Sequence, residues 1–124
     1  MKTFRELRVW QTAHTLVLRV YAETRMFPRD EQYGLTSQLR RAAVSIAANI
    51  VEGHRRTSRR ELLNFLDIAD ASLEEAKYLL LLAHDLRYVK APIFEEFTQS
   101  CDAIGGMLYQ FKRHVRQEVS HASS

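Results

Sequence analysis

The sequence predicts an all-α fold, an antiparallel up-down-up-down four-helix bundle, and three observations predict it. Only two prolines and four glycines punctuate 124 residues, so long stretches carry no turn signal. Apolar side chains recur at helical spacing in four separate segments. The connections between those segments are short, which makes consecutive helices antiparallel neighbours. With 46% hydrophobic and 27% charged residues, the chain fits a single domain, 1–124, large enough to bury a core without staples.

The first helix is expected from Phe4 to Arg25, with Val9, Trp10, Ala13, Val17, Val20, Tyr21 and Thr24 on one face. Phe27-Pro28 ends it, because a residue before proline is pushed out of the helical region. A connection from Arg29 to Gly34 leads to a second helix over Thr36 to Glu52, for which Gly53 is the expected C-terminal cap. Ser58 and Glu61 have the spacing of a capping box and start the third helix. That helix is expected to run to Tyr88 with Leu62, Phe65, Ala69, Ser72, Leu73, Ala76, Leu80 and Ala83 inward. Ala91-Pro92 breaks the chain again, and proline suits a first helical turn. The fourth helix carries Ile93, Phe97, Cys101, Ile104, Leu108, Phe111 and Val115, and a frayed tail is expected over 118–124.

The second helix divides into three sectors at about 100° per residue. Leu35, Leu39, Ala42, Ala43, Ile46 and Ile50 form the core sector. A second sector holds Arg40, Val44, Ala47, Ala48 and Val51, and a polar stripe holds Gln38, Arg41, Ser45, Asn49 and Glu52. Alanine serves helix propensity. A second apolar patch of small residues also lets another backbone approach, and a neighbouring subunit is the favoured cause. Leu63, Tyr78, Leu81 and Leu82 add a further apolar surface on the third helix, the kind of patch that marks an interface.

Asn49 is a poor helix former one turn from both Ser45 and Glu52, so these three are expected to link their side chains. Glu52 sits at the unfavourable end of the helix dipole and needs a cation, which Arg55, Arg56, Arg59 or Arg60 can supply. A structural role for Asn49 and Glu52 is favoured over ligand contact. Six arginines and one carboxylate lie between Arg40 and Arg60. Arginine grips phosphate or carboxylate bidentately. A basic patch repeated by assembly would hold nucleic acid through backbone phosphates, with strong salt dependence and little sequence preference. The same arginines could instead pair with the acids of an adjacent subunit between Asp67 and Glu75.

No catalytic or metal-ligating constellation is expected, and no cofactor. Di-iron bundles need repeated Glu-x-x-His pairs on inward faces. Here only Glu118 and His121 have that spacing, in the tail. The single Cys101 excludes an intramolecular disulfide and a cysteine zinc site. No phosphate-cradling glycine loop is present. The N-terminus lacks a signal-like apolar run and no segment approaches the ~20 apolar residues of a membrane span, so a cytosolic protein is expected.

The run Phe27-Pro28, Glu31, Tyr33-Gly34-Leu35, Gln38, Arg40-Arg41-Ala42, Ser45-Ile46, Asn49-Ile50, Glu52-Gly53 resembles the family of 23S rRNA intervening-sequence proteins. Ser58, Glu61, Phe65-Leu66, Ala69, Ser72-Leu73, Val9-Trp10, Leu86 and Tyr88 extend the likeness over nearly the whole chain. Ala47 departs from it, because many relatives carry proline there, so a straighter second helix is expected. The resemblance implies a bundle that assembles as a ring-like homopentamer without enzymatic activity. It also implies kinship with the accessory protein of diversity-generating retroelements, a basic pentamer that works with a reverse transcriptase and nucleic acid. On this reading Arg40, Arg41, Arg55, Arg56, Arg59 and Arg60 bind RNA or DNA. Tyr33, Val44, Ser45, Ala47, Ala48, Asn49, Val51 and Glu52 serve structure and subunit contact. The alternative is a protein-interaction scaffold whose arginines stabilise subunit contacts.

Overall fold

The computed structural model describes residues 3–123, and their side chains through residue 121. Four α-helices account for most of it: α1 over Arg8–Thr24, α2 over Leu35–His54, α3 over Arg59–Asp85 and α4 over Ala91–Ser123. The described residues contain no strand. Helix α1 packs on α2 and α4, and α3 packs on the same two, which closes a four-helix bundle. Two ends follow. One gathers the α1–α2 and α3–α4 connections; the other gathers the α2–α3 turn, the start of α1 and the end of α4.

Leu16, Leu39, Ile46, Ile50, Leu66, Leu73, Leu80, Ile104 and Leu108 fill the core with almost no exposure. Each contributes about 1.5–3 kcal/mol of burial relative to an exposed side chain. Ala13, Ala43, Ala69, Ala76 and Ala83 are fully buried between them and let the helix backbones close up. The core sector expected for α2 is buried throughout. Elsewhere the sectors rotate slightly. In α1, Leu16 takes the inward place and Tyr21 lies outside. In α3, Leu66 and Leu79 are buried whereas Phe65 and Ser72 are half-buried at the α2 edge.

The helix ends depart from the sequence reading in four places. The first helix is not continuous from Phe4. A 3₁₀ turn over Phe4–Glu6, capped by the Thr3 side chain, is separated from α1 by an extended Leu7. Gly53 is not a cap: α2 runs through it to His54, and no glycine has positive φ. What Gly53 provides is space, since a Cβ there would lie 2.9 Å from Leu62 Cδ1 and 3.1 Å from Phe65 Cβ. Helix α3 stops at Asp85, three residues before the expected Tyr88, because Arg87 adopts φ 68°. The Arg87 and Tyr88 amides then donate to the carbonyls of His84 and Ala83, both at 2.9 Å, the paired bonds of a Schellman cap. Finally, α4 continues to Ser123, past the Glu118 at which a frayed tail was expected. The Glu118 carboxylate lies 3.3 Å from His114 one turn back and 3.8 Å from Arg59 of α3, so the last turns are tied to the bundle.

The Ser58 cap is present, its Oγ accepting from the Glu61 amide at 3.3 Å. At the other end, Glu31 ties two connections together. One carboxylate oxygen accepts from the Leu35 amide at 3.3 Å and the other from the Tyr88 hydroxyl at 3.0 Å. Phe27 is buried against the Tyr88 ring, with centroids 5.4 Å apart.

Cys101 is 1% exposed, and burial pushes its thiol up to about 11. The unfolded thiol ionises first, near 8.5. This contribution to stability is therefore intact below that pH and is lost as pH rises through the window up to about 11. At neutral pH, modification of Cys101 by a thiol reagent is expected to proceed at the rate of bundle opening and to accelerate with denaturant. Immediate stoichiometric labelling of the native protein would contradict that.

Candidate nucleic-acid interface

The six expected nucleic-acid arginines do not form one patch. Arg40 and Arg41 lie near the start of α2, and Arg55 lies fifteen residues further on, about 22 Å along the helix axis. Arg40 is turned into its own bundle. Its Nε donates to Thr24 Oγ1 at 2.8 Å, and its guanidinium lies 4.5 Å from the Tyr21 ring centroid of α1. Arg41 is exposed on the outer side of α2.

The remaining four cluster at the α2–α3 turn. Glu52 receives two of them, Arg56 at 3.3 Å and Arg55 at 3.7 Å, so the carboxylate at the negative end of the helix dipole finds its cations within one turn. Arg56 also stacks over Phe65 at 4.8 Å, which makes it part of the turn's packing. Arg59 lies 3.8 Å from Glu118. Such partly exposed pairs each contribute little, roughly 0–1 kcal/mol, and leave a guanidinium able to exchange partners. Arg55, Arg59 and Arg60 are exposed.

Ser45 and Asn49 do join, with Asn49 Nδ2 donating to Ser45 O at 2.8 Å and to Ser45 Oγ at 3.1 Å. Their chain does not continue to Glu52. It crosses to α3, where the Ser45 and Ser72 hydroxyls hydrogen-bond at 2.7 Å. The Ser45–Asn49 part of the polar stripe is thus a half-buried seam between α2 and α3, whereas Gln38 and Arg41 are exposed. Ala47 is also absorbed, at 8% exposure, into the bundle's own core. Val44 and Ala48 remain exposed, Val51 is half-buried and Tyr33 projects almost fully from the loop before α2.

Sequence reasoning missed further cations at this end: Arg113 and Arg116, exposed on the last turns of α4, and Arg5 and Arg8, exposed just before and at the start of α1. The signal was available: antiparallel neighbours with short connections put the end of α4 beside the α2–α3 turn. The acids proposed as partners in an adjacent subunit are mostly engaged within the chain. Lys112 lies 3.3 Å from Asp67 and 2.9 Å from Asp70, and Lys77 lies 3.1 Å from Glu74. The two aspartates raise Lys112 above the ordinary lysine range against the opposing effect of burial. Among the described residues no group of three or more His, Cys, Asp or Glu side chains could hold a metal ion. No helix there is long and apolar enough to cross a membrane.

Residues 5–110 match the family model described as 23S rRNA-intervening sequence protein. No curated protein matches the chain. Among solved structures, the chain is similar to a protein of unknown function from the S23 ribosomal protein family of Bacteroides thetaiotaomicron VPI-5482. The two are 23% identical with a TM-score of 0.78, over 85% of this chain and 95% of that one. At that identity the likeness concerns the fold.

Proposed function

The chain belongs to the 23S rRNA-intervening sequence protein family, and on that premise we propose a non-enzymatic, self-assembling bundle that holds RNA or DNA backbones at its α2–α3 end. The observation that carries this reading is the exposure of Arg55, Arg59 and Arg60 at one turn, at the bundle end that the last turns of α4 with Arg113 and Arg116 also reach. Guanidinium groups so placed can follow a phosphate backbone without reading bases. Assembly into a ring-like oligomer, a homopentamer on the family resemblance, would repeat that end several times and multiply a weak contact. The rival, arginines that serve only subunit contacts, is disfavoured because Asp67, Asp70 and Glu74 already have cations of their own. A cytoplasmic setting suits the free buried Cys101. A reverse transcriptase is a partner to test on the same reading.

The test is salt-dependent binding of single-stranded RNA and DNA followed by fluorescence anisotropy. Arg55→Ala/Arg59→Ala/Arg60→Ala is the variant of choice, because Arg56 packs on Phe65 and its loss would disturb the turn. At low salt this variant is expected to bind about tenfold more weakly, with a salt slope shallower by about two to three. Unchanged affinity and slope in a variant that still folds and assembles would refute the phosphate grip.

A further inference from the structure

We propose a second site at the opposite end of the bundle, a cavity that binds a phosphate monoester through Arg25, Arg29 and Arg40 over the first turn of α2. It uses none of the arginines at the α2–α3 turn, so the two proposals stand or fall separately. The cavity, about 310 Å³, lies between the end of α1, the α1–α2 connection and the start of α2. That volume is at the lower limit for small-ligand sites, suited to a phosphate with a short organic group.

Four features point to an anion. Arg40 is held rigidly by Thr24 and Tyr21, and its terminal nitrogens have no partner among the described residues. Arg25 and Arg29 line the same cavity, and among the described residues neither side chain has an ion pair or hydrogen bond. Thr36 also lines it, and its hydroxyl, open to solvent, has no hydrogen-bond partner among the described residues and is free to donate to a ligand. Lastly, the Leu35 amide donates to Glu31 and the Gln38 amide to the Gly34 carbonyl, while those of Thr36 and Ser37 make no such bond. The positive end of a twenty-residue helix therefore faces the same region.

Charge selects the ligand class. Three guanidinium groups favour a dianion over a single carboxylate. Of the nearby acids, Glu31 is committed to Leu35 and Tyr88, and Glu23 to Arg19 at 3.5 Å. Asp30 is exposed on the connection, where it tempers the cationic field without closing the cavity. The phosphate could come from a free phosphorylated molecule or from the 5′ end of a nucleic-acid strand.

Titration calorimetry on the full chain with inorganic phosphate, and with a short oligonucleotide with and without a 5′-phosphate, tests this. Wild type is expected to bind phosphate saturably in the millimolar range or tighter. Arg25→Gln/Arg29→Gln is expected to weaken binding at least about tenfold. The near-isosteric Thr36→Val should weaken it about three- to tenfold. Arg55→Ala/Arg59→Ala/Arg60→Ala should leave it unchanged. Within a positive result, preference for the 5′-phosphorylated strand identifies a strand end, and no preference identifies a free small molecule. The site is overturned if wild type takes up no phosphate saturably, or if Arg25→Gln/Arg29→Gln binds it as tightly. Both arginines are exposed, so the double variant is expected to fold, which a thermal melt checks.

Discussion

Gly53→Val is expected to destabilise the bundle by about 3 kcal/mol, the upper part of the range for overpacking a close-packed site. Gly53 is buried in the last turn of α2, where even a Cβ would meet Leu62 Cδ1 at 2.9 Å and Phe65 Cβ at 3.1 Å. The Leu62 methyl can swing aside. Phe65 Cβ cannot, because it is fixed to the α3 backbone, so a branched side chain must separate the two helices. The melting temperature should fall by about 10 °C for a domain of this size. Gly106 supplies the control of opposite sign. It also lies within a helix, α4, but no atom lies within 4 Å of an added Cβ, so Gly106→Ala should gain up to about 1 kcal/mol. Denaturant unfolding of both variants decides the matter. If Gly53→Val unfolds with wild type, close approach is not what Gly53 provides. The same substitution should disturb the nucleic-acid end, because Phe65 carries Arg56 and the adjoining turn presents Arg55, Arg59 and Arg60.

Gly53 also shows where sequence reasoning succeeds and where it stops. A glycine just before a turn signals a left-handed cap, and the α2–α3 turn is where the sequence places it. The residue's physical task is different, since the need for a missing Cβ comes from Leu62 and Phe65 across the turn. The left-handed cap occurs instead at Arg87, whose side chain gives no such signal. Local punctuation was legible: Pro28, Ser58 and Pro92 mark where helices stop or start, because their effects act within a few residues of chain. The α4 stripe of Phe97, Cys101, Ile104, Leu108 and Val115 was legible too, since its period alone fixes the face. Faces touching two neighbours were harder. Helix α3 packs against α2 and α4 over a wide arc, so Phe65 and Ser72 at its edge could not be told from Leu66 and Leu79 nearer its centre. The separation of Arg40 and Arg41 from the four turn arginines was hidden for a related reason. Residues close in sequence along one helix are spread over its length, and only packing partners such as Thr24 and Tyr21 reveal that Arg40 is turned inward.

Assembly leads to the second large effect: Leu18→Asp/Val44→Asp is expected to reduce the proposed oligomer to monomers. Leu18 and Val44 are 59% and 40% exposed on the outer surfaces of α1 and α2, beside a half-buried Val17 and the exposed Ala48. A second apolar surface, with Tyr78 60% and Leu81 44% exposed, lies on the α3–α4 side, across the bundle from the first. Two different patches suit a heterologous contact, in which each subunit offers one patch to the next; such contacts give a ring where the rotation between subunits closes and an open filament where it does not. A two-fold dimer would use one patch twice and leave the other bare. An unpaired aspartate buried at such a contact costs several kcal/mol, and a ring repeats that cost at every interface. Tyr78→Asp/Leu81→Asp should therefore dissociate the assembly as completely as Leu18→Asp/Val44→Asp does. Light scattering gives the mass and circular dichroism shows that helix content is kept, since all four side chains are exposed in the single chain. Loss of mass from only one double variant would point to a two-fold dimer. Loss from neither, or a wild type that is already monomeric, would remove the ring and leave each bundle to hold nucleic acid with a single arginine turn.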